Sequence, residues 1–382
     1  MVSNRLPVGI TKNEGKISIT PSVGGLATGL ASFYKSYDST WIGWSGIYAN
    51  DFSAKEISEI KNKLLAENCC PIFLGKDEVE KYYDGFSNKT IWPLFHYFIQ
   101  YSKYYGDYWE AYCKVNKMFA DAVLENIKAG DKIWIHDYHL LLLPELIKKQ
   151  FPDVSIGFFL HIPFPSYEVF RLLPWRKQLL EGMLGADLIG FHTFDYERHF
   201  LSCVRRILGN DTIFNKIKLE KRIVKADIFP MGIDYERFYN AAMEQQQRSI
   251  KDKTKLQKEI EKYFLFANDR KLIISIDRLD YSKGIPHRLK AYEYFLENNM
   301  EFHEKVSLIL LAVPSREDVE HYQKIKSEVD KLVGRINGKY GVINWTPIWY
   351  FYRSMPFEDV IGLYSSSDIA LITRTSSSPN SS

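Results

Sequence analysis

Short apolar runs alternate along this chain with longer stretches whose apolar residues recur every three or four positions. Residues 132–135 (Lys-Ile-Trp-Ile) predict a strand, followed by a helix over 140–150. Residues 154–160 predict a second strand, with a helical stretch around 167–173, and residues 186–191 a third. Strand then helix, repeated, predicts a parallel sheet covered on both faces. Residues 228–234 read as a strand running into a connection punctuated by Pro230 and Gly232, and a polar helical stretch follows over 245–263.

The rhythm then restarts. Residues 271–277 and 306–313 are apolar strands. Residues 316–337 predict a helix with Val319, Tyr322, Ile325, Val329, Leu332 and Ile336 on one face. A last strand is expected over 367–372, and a polar low-complexity tail follows Ile372. The break near 230–240 predicts two doubly wound α/β domains, 1–232 and 233–382. A length of 382 residues agrees, being more than one hydrophobic core comfortably serves.

Ligands of open α/β sheets bind at the carboxyl ends of the strands, so chemistry is expected at those positions. Arg278 and Lys283 flank a turn between the strand 271–277 and a helix from about Pro286. A fork donor and a point charge at a helix start suit a diphosphate, although a surface turn with two solvated cations has the same sequence. Arg5 would end a first strand at residues 2–5. Ser22-Val23-Gly24-Gly25 precedes a helix from Leu26, where paired glycines let a phosphate or sugar approach backbone N–H groups or simply make a turn. Asp137 follows a strand and precedes a helix, as acceptor for substrate hydroxyls or as helix N-cap. His161 stands before Pro163 and Pro165, held at the sheet edge or buried as a structural histidine. Residues 82–88 with Trp92 and Pro93 read as an aromatic, turn-rich loop that could stack on a sugar or cover the core. Arg316 adds a cation after the strand 306–313.

Composition narrows this further. Fifty basic residues against 47 acidic leave a net charge of +3, and no cationic run suggests nucleic acid or an anionic membrane. Apolar runs are too short to span a bilayer, and Arg5 interrupts any secretory signal. Four cysteines (69, 70, 113, 203) without metal-ligand spacing predict reduced thiols in the cytoplasm. His136, Asp137 and His139 lack a third converging ligand, so no metal is expected. Four cations, one carboxylate and one histidine at strand ends suit two anionic, hydroxyl-rich ligands, a nucleotide sugar and a sugar phosphate.

The chain resembles the trehalose-6-phosphate synthases, which join UDP-glucose to glucose 6-phosphate. The resemblance rests on ordered stretches at 2–7, 24–29, 41–46 (Trp-Ile-Gly-Trp-Ser-Gly), 82–88, 92–93, 134–141, 157–165, 278–284 (Arg-Leu-Asp-Tyr-Ser-Lys-Gly), 314–316 and 334–341. It implies a GT-B fold, two Rossmann-like domains facing across a cleft, and a retaining, metal-independent transfer without a cofactor. Carried over residue by residue, Arg5, Tyr83, Trp92, Asp137 and Arg316 bind glucose 6-phosphate. Gly25, His161, Arg278 and Lys283 bind UDP-glucose, with Asp137, His161, Arg278 and Lys283 as the catalytic set. It also implies a trehalose-phosphate phosphatase or synthase-complex subunits as partners.

One departure stands out. After the last strand the family continues Arg-Asp-Gly-Met-Asn-Leu-Val and then a Lys-Glu pair, which hold the donor. This chain reads Thr373-Arg374-Thr375-Ser376 there, so an incomplete second domain is expected. A non-catalytic binding or regulatory subunit is therefore the alternative to an active transferase. A retaining transferase with another acceptor is a third reading, against which Tyr83, Trp92 and Arg316 favour a sugar phosphate.

Overall fold

A computed structural model describes residues 1–13, 16–21, 30, 38–247, 253–265, 270–315 and 320–373. Gly25, Arg316 and Val319 lie outside these. The described residues divide into two compact units, the first Met1–Ile233 and the second those from Asp234 to Thr373.

The first unit is built on a nine-stranded sheet. Its parallel part comprises β1 (Val2–Arg5), β4 (Trp41–Tyr48), β5 (Cys69–Leu74), β6 (Lys132–His136), β7 (Ser155–Phe159), β8 (Leu188–Phe191) and β11 (Ile223–Ile228). They lie in the order β5-β4-β1-β6-β7-β8-β11, and two short antiparallel strands, β9 (Thr212–Ile213) and β10 (Lys216–Lys218), extend the β11 edge. A separate hairpin pairs β2 (Val8–Asn13) with β3 (Lys16–Pro21). Strands β4 and β8 are buried over most of their length, which is why they read as largely apolar runs. Close packing between β1 and β4 depends on Gly43, where a Cβ would come within 2.9 Å of both Leu6 N and Ser3 O. Across the same pair the Trp41 indole N–H donates to Ser3 Oγ at 2.7 Å.

The second unit holds a four-stranded parallel sheet, β14-β13-β12-β15, formed by β12 (Lys271–Arg278), β13 (Val306–Val313), β14 (Ile348–Tyr352) and β15 (Ile369–Ala370). Helix Ile285–Asn298 and helix Glu320–Tyr340 pack on it, burying Leu289, Tyr292, Val329 and Ile336 with Leu308 and Leu310. Pattern and structure agree here because the apolar face of each helix meets a fully buried strand.

Several sequence expectations are corrected. The strand expected at 228–234 is β11, which ends at Ile228 where the expectation began; Lys225 and Asp227, set between the buried Val224 and Ala226 and the strand's other apolar residues, had hidden it. The helix expected over 140–150 starts at Leu143, after a 3-10 turn over Tyr138–Leu140. The stretch at 245–263 spans the end of helix Tyr235–Gln247 and most of helix Lys255–Leu265. Residues 82–88 are no loop. They lie in a π-helical segment, Val79–Ile91, in which the Trp92 N–H reaches the Ser87 carbonyl five residues back. The wide turn is held from outside: Gly85 lets the Tyr108 ring approach to where a Cβ would stand 2.9 Å from it, and Phe86 is buried beside Tyr112 and Trp109. π-Helical turns recur at functional sites. Among the described residues no helix is long and apolar enough to cross a membrane.

Candidate active site

In the first unit, strand register sets the site. Ser3 of β1 lies opposite His136 of β6, His136 opposite Phe159 of β7, and Phe159 opposite Gly190 of β8. Asn4 and Asp137, one residue beyond this row, and His161, two beyond Phe159, emerge together at the carboxyl edge. Gly190 permits the alignment, since a Cβ there would meet Phe159 Cδ2 at 2.6 Å.

Asp137 has φ +77° and ψ 169°, a backbone region that side chains rarely occupy and that costs on the order of 1–3 kcal/mol. It is held there from two sides. Its N–H donates to the Phe159 carbonyl at 2.8 Å, and its Oδ1 accepts the His161 backbone N–H at 3.2 Å. The carboxylate does not cap the following helical turn, so the N-cap expectation is corrected. His161 Nε2 lies 3.1 Å from Nδ1 of the fully buried His136. Burial pushes the His161 imidazole down to about 4. Burial, reinforced by His161 itself, holds His136 well below the usual histidine range. Both rings are therefore neutral near pH 7, one nitrogen donating and the other accepting.

A chain of rings links Arg5 to this edge. The exposed Arg5 guanidinium lies 4.9 Å above the Trp44 ring and donates to the Gly46 carbonyl at 3.2 Å. Trp44 meets the half-buried Tyr83 with centroids 5.9 Å apart, and Tyr83 stacks on His139 at 5.6 Å and 12°. Gly46, with φ +83°, makes room: a Cβ would stand 2.2 Å from Arg5 Nη2. Neighbouring Tyr82 donates to Asn4 Oδ1 at 2.9 Å. Trp92 is buried, packed on His96 and Tyr138, and Tyr138 in turn donates to Asn88 Oδ1 at 3.0 Å.

In the second unit Arg278 ends β12, opposite Val313, and is exposed. The turn beyond it closes on the buried Asp280, whose Oδ1 accepts from the Ser282 N–H and hydroxyl at 2.9 and 2.8 Å and whose Oδ2 accepts from Tyr322 OH at 2.7 Å. Gly284, at φ +63°, turns the chain into helix Ile285–Asn298. Lys283, half-buried, stands at that helix start with Nζ 3.9 Å from Asp277 Oδ1. Two cations thus share the carboxyl edge of a parallel sheet and a helix N-terminus, a setting that favours a phosphate group.

The structure accordingly brings Arg5, Tyr83, Asp137 and His161 to one edge of the first unit, with Trp92 behind them, and Arg278 and Lys283 to one edge of the second. Gly25 and Arg316 fall outside the described residues. Sequence reasoning missed Asn4, Trp44, Gly46, Asp280 and Arg288. Arg288 alone carried a legible signal: it is a charge within the apolar stripe Ile285, Leu289, Tyr292 and Leu296. Among the described residues no group of three or more His, Cys, Asp or Glu could hold a metal ion.

Two Rossmann-like units, each with polar groups at its carboxyl edge where open α/β sheets bind ligands, fit the GT-B class of glycosyltransferases. The sequence pattern of Glycosyltransferase family 20 matches residues 1–380. A UDP-forming alpha,alpha-trehalose-phosphate synthase from Emericella nidulans is 43% identical over 381 residues, covering 98% of this chain and 73% of that protein. A UDP-forming synthase from Burkholderia xenovorans, solved in complex with glucose-6-phosphate, matches with a TM-score of 0.82 at 29% identity, covering 98% of this chain and 78% of that one. An E. coli structure bound with UDP-2-fluoro glucose matches with a TM-score of 0.81 at 30% identity and the same coverage, 98% and 78%. The chain belongs to glycosyltransferase family 20.

Proposed function

We propose that this chain transfers glucose from UDP-glucose to glucose 6-phosphate with retention of configuration, giving trehalose 6-phosphate and UDP, without a metal. The family match, the relative's name and the two liganded neighbours support the substrates. The observation that carries the reading in this chain is the pairing of Arg278 and Lys283 at the start of a helix whose turn is locked by a buried carboxylate.

Each unit contributes to both substrates, and the second binds the donor's diphosphate. As the bond from the anomeric carbon to the UDP oxygen breaks, negative charge grows on the leaving group, and Arg278 and Lys283 stabilise it more than they stabilise the ground state. In the first unit, Arg5 and Tyr83 bind the acceptor, with Trp92 fixing the wall behind them. Asp137 accepts a hydrogen bond from an acceptor hydroxyl. The neutral His161 contacts the donor glucose. The new bond forms from the acceptor's anomeric oxygen on the face the diphosphate leaves, and the hydroxyl proton passes to the departing diphosphate oxygen. Gly25 and Arg316 complete the donor and acceptor sets in this reading.

The cytoplasm is the compartment we propose, a reading supported by four free cysteines, three of them buried. A trehalose-phosphate phosphatase, which would consume the product, is the proposed partner. Separate calorimetric titrations of UDP-glucose and glucose 6-phosphate, with an assay for UDP release, test the proposal. Binding of both and UDP release that needs both are expected. Acceptor binding without donor binding would instead support a non-catalytic subunit.

A further inference from the structure

The second unit contains a charge that the proposed reaction does not use. Arg288 lies on the buried face of helix Ile285–Asn298 with its side chain fully enclosed, so no substrate can reach it. Burying a guanidinium costs several kcal/mol unless it is paired and its donors satisfied. Here its partners come from three separate stretches of chain. On β12, Nη1 donates to Ser275 Oγ and Nη2 to Asp277 Oδ2 at 2.9 Å. In the turn, Nη2 also reaches the Lys283 carbonyl at 3.1 Å. Beyond β15, Nε donates to Thr373 Oγ1 at 3.1 Å, and Nη2 approaches the Thr373 carbonyl at 3.4 Å. The Thr373 hydroxyl in turn donates to the Lys283 carbonyl at 3.0 Å, closing a ring of bonds.

We infer that Arg288 is the positioning residue of the donor site: with Thr373 it holds the backbone of Lys283 and couples the segment after β15 to the turn that carries Arg278 and Lys283. Asp277 completes the device. It neutralises Arg288 and stands 3.9 Å from Lys283 Nζ, so one carboxylate orients both the buried cation and the exposed one. Without Arg288 the Lys283 carbonyl would keep a single side-chain partner, Thr373, and that residue would itself have lost the donor that fixes it. A fork with several fixed donors is needed to reach three segments at once, and an ammonium cannot replace it.

The inference rests on the reading of Arg278 and Lys283 as diphosphate ligands, and its test separates the two. Arg288→Lys and Thr373→Val are compared with Lys283→Ala in the full chain, using UDP titration, the KM for each substrate, and amide hydrogen exchange over residues 278–285. Arg288→Lys is expected to weaken UDP binding about tenfold, the equivalent of roughly one lost hydrogen bond to a charged group. Thr373→Val should weaken it about threefold. Both should speed exchange in the turn and leave the KM for glucose 6-phosphate within about twofold of the parent, a split that general destabilisation would not produce. Thr373→Ser, which keeps the hydroxyl, should restore parental behaviour. If Arg288→Lys does not fold, Thr373→Val and its Ser counterpart decide. Unchanged exchange and UDP affinity in the variants, alongside lost binding in Lys283→Ala, would overturn the positioning role alone. Unchanged UDP binding in Lys283→Ala would overturn the donor reading and this inference with it.

Discussion

The carboxyl edges of the two sheets are built on different physics. Among the described residues the edge of the first unit is mostly neutral: Tyr83 stacked on His139, two histidines kept uncharged by burial, a strained aspartate, and one arginine laid over a tryptophan. In the second the edge presents two cations, backed by a buried carboxylate in the turn and a buried arginine beneath it. A hydroxyl-rich sugar needs fixed donors and acceptors in a dry setting, whereas a diphosphate needs charge that does not move when the reaction develops more of it. The second edge therefore invests its buried polar groups in holding cations still, and the first in holding rings and one backbone turn.

The sharpest way to break this contrast is Arg278→Ala. A loss of about 100–1,000-fold in turnover is expected, with the melting temperature unchanged because the side chain is exposed. Near-parental turnover would remove the electrostatic role from the second edge. Asp137→Gly probes the first edge. Relief of strain on the order of 1–3 kcal/mol offsets the lost bond to His161, so stability should stay within about 1 kcal/mol while kcat/KM falls about 100-fold. Denaturant melts with steady-state kinetics check it; a large stability loss would mean the residue serves the fold.

Gly46→Ala should raise the KM for glucose 6-phosphate about tenfold and leave UDP affinity alone, because the new methyl displaces Arg5 and the backbone stays left-handed at about 1–2 kcal/mol. Equal effects on both substrates would dissolve the division between edges. The histidines give a pH signature. With His161 lowered to about 4, the folded state binds fewer protons than the unfolded state between that value and the ordinary 6.5. Stability is then fully present above about 6.5 and falls with pH, by about 2 kcal/mol from pH 7 to 5 for this group. His161→Gln should flatten that slope in urea melts taken across the range. The smallest effect is a control: Lys271→Ala removes an exposed ion pair to Asp368 and should shift stability by less than about 1 kcal/mol.

Much of this was legible beforehand where burial is one-sided or complete. The runs at 271–277 and 306–313 became β12 and β13, and Tyr322, Val329 and Ile336 are buried on one face of their helix. The placement of Arg278 at a strand end and Lys283 at a helix start followed from the same pattern. The strand at 223–228 was missed because Lys225 and Asp227 interrupt its apolar residues. The π-helical path of residues 79–91 was missed because no local pattern encodes a turn whose width is set by Tyr108 and Tyr112 from another helix, Gly106–Asn126.

By itself, then, the order of apolar and polar residues determined two doubly wound halves and which residues stand at strand ends, because burial period and turn chemistry are local properties of the chain. Only the tertiary structure decided that Asp137 is strained and tied to His161, that Gly46 makes room for Arg5, and that Arg288 joins β12 to Thr373. Those outcomes depend on strand register and on partners as many as 85 residues apart, which a linear pattern cannot specify.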